Sequence, residues 1–161
     1  MKSILKIILV FAILLASCKN EKTDLKDIAQ LDAEVFKQVE QVVQGVFDDV
    51  WAEKKEDVIL KYQTKDFVLL EHGEVWTNDT ITNWCKRAKL RDDGAKRINN
   101  FDFFKAKKEG NRVWMAYHNY ATFKKDTIVG KYKWLESVVA VKQGDVWKLE
   151  MMHSTRVPRE Q

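Results

Sequence analysis

Between Ile28 and Trp51 apolar side chains return every three or four residues, at Ile28, Leu31, Val35, Val39, Val42, Val46 and Val50. Phe36, Val43, Phe47 and Trp51 widen the stripe. An α-helix turns once per 3.6 residues, so the spacing predicts one long amphipathic helix. Such a helix buries its stripe only against a second layer, and the remainder of the chain supplies one. Glu56 to Tyr62 reads as a short second helix, and the runs before and after His72-Gly73 read as a small hairpin. Thr77-Asn78-Asp79 offers an N-cap to a helix bearing Ile81, Trp84, Cys85 and Ala88, which stops near Asp92-Asp93-Gly94.

Four strands should follow, over about 96–108, 112–124, 128–142 and 146–157. Their turns are Glu109-Gly110-Asn111, Lys125-Asp126-Thr127 and Gly144-Asp145. Helices first and long antiparallel strands afterwards predict an α+β domain with helices packed on one face of a sheet. Six Trp, four Tyr and eight Phe provide ample core, while one proline and the lack of any Gly/Ser-rich tract argue for a single domain over 28–161.

The N-terminus speaks to compartment. Lys2 and Lys6 open a positive start, and Ile7 to Ala16 is an unbroken apolar run. A spanning helix needs about 20 apolar residues, so this run is the length of a signal-peptide core. Leu15-Ala16-Ser17-Cys18, followed by the polar Lys19-Asn20-Glu21-Lys22, resembles a bacterial lipobox. That resemblance implies a signal peptide over 1–17, cleavage before Cys18, and acylation of Cys18 as an anchor in the lipid bilayer. Two or three acyl chains anchor stably where one does not, at about 0.8 kcal/mol per buried methylene. Residues 18–27 then form the lipidated cysteine and a polar tether. Lys19 rather than Asp follows the cysteine, so the inner-membrane retention signal of some lineages is missing. The expected location is the cell envelope, at the outer membrane on its periplasmic or surface face.

Charge excludes some partners. The whole chain carries +4, and loss of Lys2 and Lys6 with the signal leaves +2, too little to indicate nucleic acid. Residues 19–80 hold 8 Lys/Arg against 15 Asp/Glu, and residues 81–161 hold 18 against 9. This asymmetry reads as acidic helices lying on a Lys-rich sheet. With Cys18 acylated, Cys85 is the one free cysteine, so no internal disulfide and no thiolate zinc site can form. Three scattered His make no metal cluster, and no cofactor motif is present.

The order of long helix, short helix, hairpin, helix and long strands resembles the nuclear transport factor 2-like superfamily. The closing segments Lys133-Trp134-Leu135-Glu136-Ser137-Val138, Gly144-Asp145-Val146-Trp147-Lys148-Leu149 and His153-Ser154-Thr155 are similar to its SnoaL-like branch. The resemblance spans nearly all of 28–157. It implies a cone-shaped curved antiparallel sheet with helices packed on its concave face. It also implies a pocket, which in that superfamily serves isomerases, dehydratases, cyclases and plain binding domains. Its ketosteroid-isomerising enzymes use a Tyr with two carboxylates. Only Tyr117 and Glu136 align with such roles, and no clear second acid follows.

Strand register selects the pocket residues. A two-residue Gly144-Asp145 turn pairs Gln143 with Val146, which sets Glu136 opposite His153, Val138 opposite Met151 and Ala140 opposite Leu149. A three-residue turn would undo the Glu136–His153 pairing. A two-residue Asp126-Thr127 turn sets Tyr117 opposite Glu136 and Asn119 opposite Trp134. Both registers turn the same set inward. Tyr117, Asn119, Trp134, Val138 and Met151 are therefore the expected ligand-binding residues, and Glu136 with His153 the expected catalytic pair. A carboxylate beside an imidazole can move protons, or the two can merely satisfy each other across the strands. His72 reads as a turn residue, and Cys85 as a buried inert thiol. His118, Trp114 and Tyr120 share the outward parity, as a surface or as a homodimer face through the sheet. Three functions stay open. One is a lipid-anchored binding domain for a small, partly apolar ligand. The second is a cofactor-independent isomerase, dehydratase or cyclase, and the third is a protein-interaction module.

Overall fold

The computed structural model describes residues 25–158, with side-chain surroundings from Asp32 onward. The expected signal peptide, Cys18 and most of the tether lie outside the described residues. Of the described residues, Asp32 onward form one compact unit, and the helical Leu25–Leu31 lies outside it.

Helix α1, Leu25–Gly45, continues into a turn of π-helix over Val46–Ala52. Val39, Val43, Val46 and Val50 are fully buried along its seam. Val42, expected in that seam, stands at its edge and is half-buried, because Val43 lies closer to the seam's centre line. The π turn lets the Glu53 N–H reach Asp48 O at 3.1 Å, five residues back. It brings Phe47 and Trp51 to one side, with ring centroids 6.5 Å apart. Turns of this kind widen a helix locally and recur at functional sites. The Cys85 thiol donates to Val50 O at 3.7 Å, and burial pushes its pKa up, as expected of an inert thiol.

The second helix is a 3-10 turn, Glu56–Val58, running into α2, Ile59–Tyr62. Tyr62 lies flat on Gly45: a Cβ there would sit 2.5 Å from the ring. The ring is fixed by its hydroxyl, which donates to Asp49 and accepts from Lys61 Nζ at 2.8 Å. Strands β1, Gln63–Glu71, and β2, Glu74–Thr77, form the hairpin, with His72 and Gly73 both at positive φ. Helix α3, Asn78–Leu90, starts at an N-cap in which the Thr77 hydroxyl oxygen accepts from the Thr80 N–H.

Strands β3, Lys96–Glu109, β4, Arg112–Lys125, β5, Ile128–Gln143, and β6, Val146–Arg156, complete one sheet in the order β2-β1-β6-β5-β4-β3. The α+β architecture is as expected, with one change. The sheet is mixed, since β1 runs parallel to β6 while every other pair is antiparallel. The hairpin is joined to the meander through α3 and not by a turn, so β1 can lie either way beside β6. The core joins the α1 seam, Ile81 and Cys85 of α3, and the inner row Val113, Met115, Tyr117, Val138 and Ala140.

The β4–β5 register is the expected one, with Tyr117 opposite Glu136 and Asn119 opposite Trp134. The β5–β6 register is not. Ala140 faces Leu149 as expected, but Val139 faces Met151, so Glu150 is an extra residue without a partner of its own. This β-bulge exchanges the faces of everything after it. Val138 then faces Met152, Ser137 faces His153 and Glu136 faces Ser154.

Candidate functional site

A cavity of about 230 Å³ opens between the π turn of α1, α3, the β1–β2 hairpin and the inner faces of β3, β5 and β6. Its walls are Phe47, Trp51, Trp76, Trp84 and Trp134, with Met152 below. Four of the six tryptophans in the chain thus meet at one place. Trp51 is the centre, 5.0 Å from Trp84 edge-to-face and 6.4 Å from Trp76. The polar lining is Glu71, His72, Arg97, Glu136 and Ser154.

Glu136 is buried and held from two sides. Asn119 Nδ2 donates to Oε2 at 3.2 Å and Ser154 Oγ donates to Oε1 at 3.0 Å. Asn119 is itself held by Asn99 Nδ2 at 2.6 Å, and Arg97 Nε donates to Asn99 Oδ1 at 2.9 Å. One chain of hydrogen bonds therefore runs from Arg97 to Ser154 through the carboxylate. Burial raises the Glu136 pKa from 4.5 to about 7, against the lowering effect of its two donors and of Arg97. The charge of Glu71 adds to the rise.

Arg97 is a buried guanidinium among rings, 5.4 Å from Phe47, 5.4 Å from Phe123 and 5.7 Å from Trp134. Burial lowers its pKa to about 10. Among the described residues no carboxylate stands within ion-pair distance of it. Glu71 meets His72 Nε2 at 3.0 Å at the cavity mouth.

The expected site residues divide. Trp134 and Glu136 line the cavity. Asn119 stands one layer behind, as the support of Glu136. Tyr117 is wholly buried between Phe101 and Phe103, and burial with the nearby Glu136 charge drives its pKa well up. Val138 is core. His153 and Met151 are corrections: the Glu150 bulge puts His153 on the exposed outer face and Met151 half-buried beside it. The Glu136–His153 pair does not exist, and Ser154 and Met152 take the inward places. Glu71, Arg97 and Trp76 join the site from elements outside the β4–β6 register, and Trp51 and Trp84, expected only as helix-stripe residues, line it as well. The three tryptophans at 51, 76 and 84 are the sequence signal that could have marked this end of the chain. His72 is a turn residue as expected, and it also borders the cavity. Among the described residues no cluster of three His, Cys, Asp or Glu side chains could hold a metal ion, and no helix is long and apolar enough to cross a membrane.

The curled sheet with helices packed on it is shared with many solved structures. A calmodulin-dependent kinase II hub homology domain from Chlamydomonas reinhardtii superposes with a TM-score of 0.68 at 12% identity, covering 77% of this chain and 99% of that one. An NTF2-like protein of unknown function from Prochlorococcus gives 0.58 at 12%, covering 77% and 94%. The chain has the nuclear transport factor 2-like fold. A ketosteroid isomerase-like protein from Erwinia carotovora atroseptica shares it, with a TM-score of 0.57 at 10% identity over 76% of this chain and 96% of that one. No protein-family model and no curated protein matches the sequence. These identities carry the NTF2-like fold and nothing finer.

Proposed function

We propose that this NTF2-like domain binds a small, partly apolar molecule in the tryptophan-walled cavity. The observation that carries this is the buried carboxylate of Glu136 in a cavity walled by four tryptophans and Phe47, with few other polar groups. Apolar pockets with a few convergent polar groups are the usual form of small-molecule sites. A cavity of about 230 Å³ suits a compact ligand, since drug-sized pockets begin at roughly 300 Å³. Trp51, Trp76, Trp84 and Trp134 take the ligand's body, and Glu136 with Arg97 orients its polar end. Native mass spectrometry of protein purified from its own host tests this. A bound small molecule lost in Trp84→Ala is expected, and an empty parent that no compound library perturbs would overturn it.

A second reading rests on the Glu136 pKa of about 7. A general base works best when its pKa lies near the working pH. In this reading the chain is an isomerase, as the name of the ketosteroid isomerase-like neighbour suggests, with Glu136 taking a proton from one carbon and returning it to another. Glu136→Gln should then abolish turnover while ligand still binds.

Two further parts of the proposal concern the anchor and the outer sheet face. The lipobox-like Leu15-Ala16-Ser17-Cys18 supports an acylated Cys18 that holds the domain at the cell envelope. The outer sheet face exposes Phe104, Trp114, Tyr120 and Leu135, which supports pairing of two copies through the sheet.

A further inference from the structure

We propose that the cavity takes an organic cation, a small amine or quaternary ammonium with an apolar body, gripped by the Trp51–Trp76–Trp84–Trp134 box between Glu71 and Glu136. The inference rests on the small-molecule reading above and narrows it to one charge class.

The walls select for positive charge. A cation over an indole face is attracted by the ring's quadrupole, and tryptophan is the strongest of the aromatic partners. Four indoles line this space, and the rings of Trp51 and Trp84 stand at 63° rather than stacked. The edge-to-face contact of Trp51 with Trp84 fixes both rings in the wall, so the site is pre-formed. Phe47 closes the box on the α1 side.

The charges agree with the walls. Two carboxylates, Glu71 and Glu136, border the cavity against one guanidinium. Arg97 borders the cavity but is already engaged: its Nε donates to Asn99, and its guanidinium carbon lies over Phe47, Phe123 and Trp134. Glu136 is supported by neutral donors only, Asn119 and Ser154. Glu71 has His72 as its one ion-pair partner among the described residues. A guest cation would offset the burial that chiefly raises the Glu136 pKa, and the smaller contribution of the Glu71 charge. An anion would gain Arg97 and meet both carboxylates. The arrangement therefore favours a cation over its neutral analogue, and the neutral analogue over an anion.

Three probes with the same phenyl body test the ranking: 2-phenylethylamine, 2-phenylethanol and phenylacetate. Tryptophan fluorescence reports binding directly, since four of six indoles sit in the site. The amine should bind the full chain about tenfold more tightly than the alcohol, with phenylacetate weakest. Glu71→Gln should erase most of the amine's advantage and leave the alcohol's affinity as it was. Equal or tighter binding of the alcohol or of phenylacetate overturns the cation inference while the small-molecule reading stands. If none of the three perturbs the indoles at millimolar concentration, the small-molecule reading falls with it.

Discussion

Ser154 Oγ donates to Glu136 Oε1 at 3.0 Å across the β5–β6 pair, in the place that a regular ladder would have assigned to His153. The bond exists because Glu150 is bulged out upstream, and it is one of two that hold the buried carboxylate. Ser154→Ala leaves Oε1 unpaired and should cost about 1–3 kcal/mol in urea unfolding. His153→Ala, on the exposed face, should stay within about 0.5 kcal/mol of the parent. The reverse ranking would show that the last strand is not bulged.

Glu136 titrates at about 7 in the folded chain against an ordinary 4.5. The folded state holds this proton more tightly than the unfolded one. The resulting stability is complete below the unfolded pKa and is lost as pH rises through about 7, a loss of about 3 kcal/mol. Asp49, Glu56, Asp92 and Asp93 are shifted down, and their contribution is lost instead as pH falls. The measurement is therefore a difference, parent minus Glu136→Gln, in urea. The variant should gain on the parent between acid and mildly alkaline pH. A flat difference would mean that Glu136 is not buried as described.

Gly45 lies where the α helix passes into the π turn, and Tyr62 occupies the space a side chain would need. The ring cannot swing away without losing Asp49 and Lys61. Gly45→Ala should destabilise the domain by about 1–3 kcal/mol, although alanine is the better helix former by about 1 kcal/mol. A stabilised variant in thermal unfolding would show that Tyr62 yields freely.

Val46 is fully buried at the junction of α1 and its π turn. Val46→Asp places a carboxylate in the apolar core and should unfold the domain, because net stabilities are only about 5–15 kcal/mol. Retention of the parent's circular dichroism and urea midpoint would contradict the placement of this seam.

Cys18→Ser should abolish acylation and release the protein from membranes. The check is mass spectrometry of membrane-extracted protein, and an unmodified Cys18 thiol in the parent would refute the anchor.

Local pattern was enough for the elements. The α1 stripe, the Thr77 cap, the His72-Gly73 turn and the two-residue turns are near-neighbour properties, and each appears where its residues stand. The β4–β5 register followed from one tight turn, so Tyr117, Asn119 and Glu136 share the inward face as their parity implies. The parallel seating of β1 on β6 joins residues far apart in the chain, and no short-range signal encodes it.

The bulge at Glu150 and the composition of the cavity were decided by tertiary structure. A strand's parity is a two-state property, and one inserted residue inverts it for every later position, which is how Ser154 and Met152 displaced His153 and Met151. Glu150 carries no residue-type mark of a bulge. Its carboxylate is instead held by Arg112 of β4, across the intervening β5, at 3.0 and 3.1 Å. The four indoles, Arg97 and Glu71 come from six different elements and meet only when α1 and α3 settle on the curled sheet. The amino-acid sequence by itself determined which side chains could be buried. Only packing determined that one carboxylate would be buried among tryptophans.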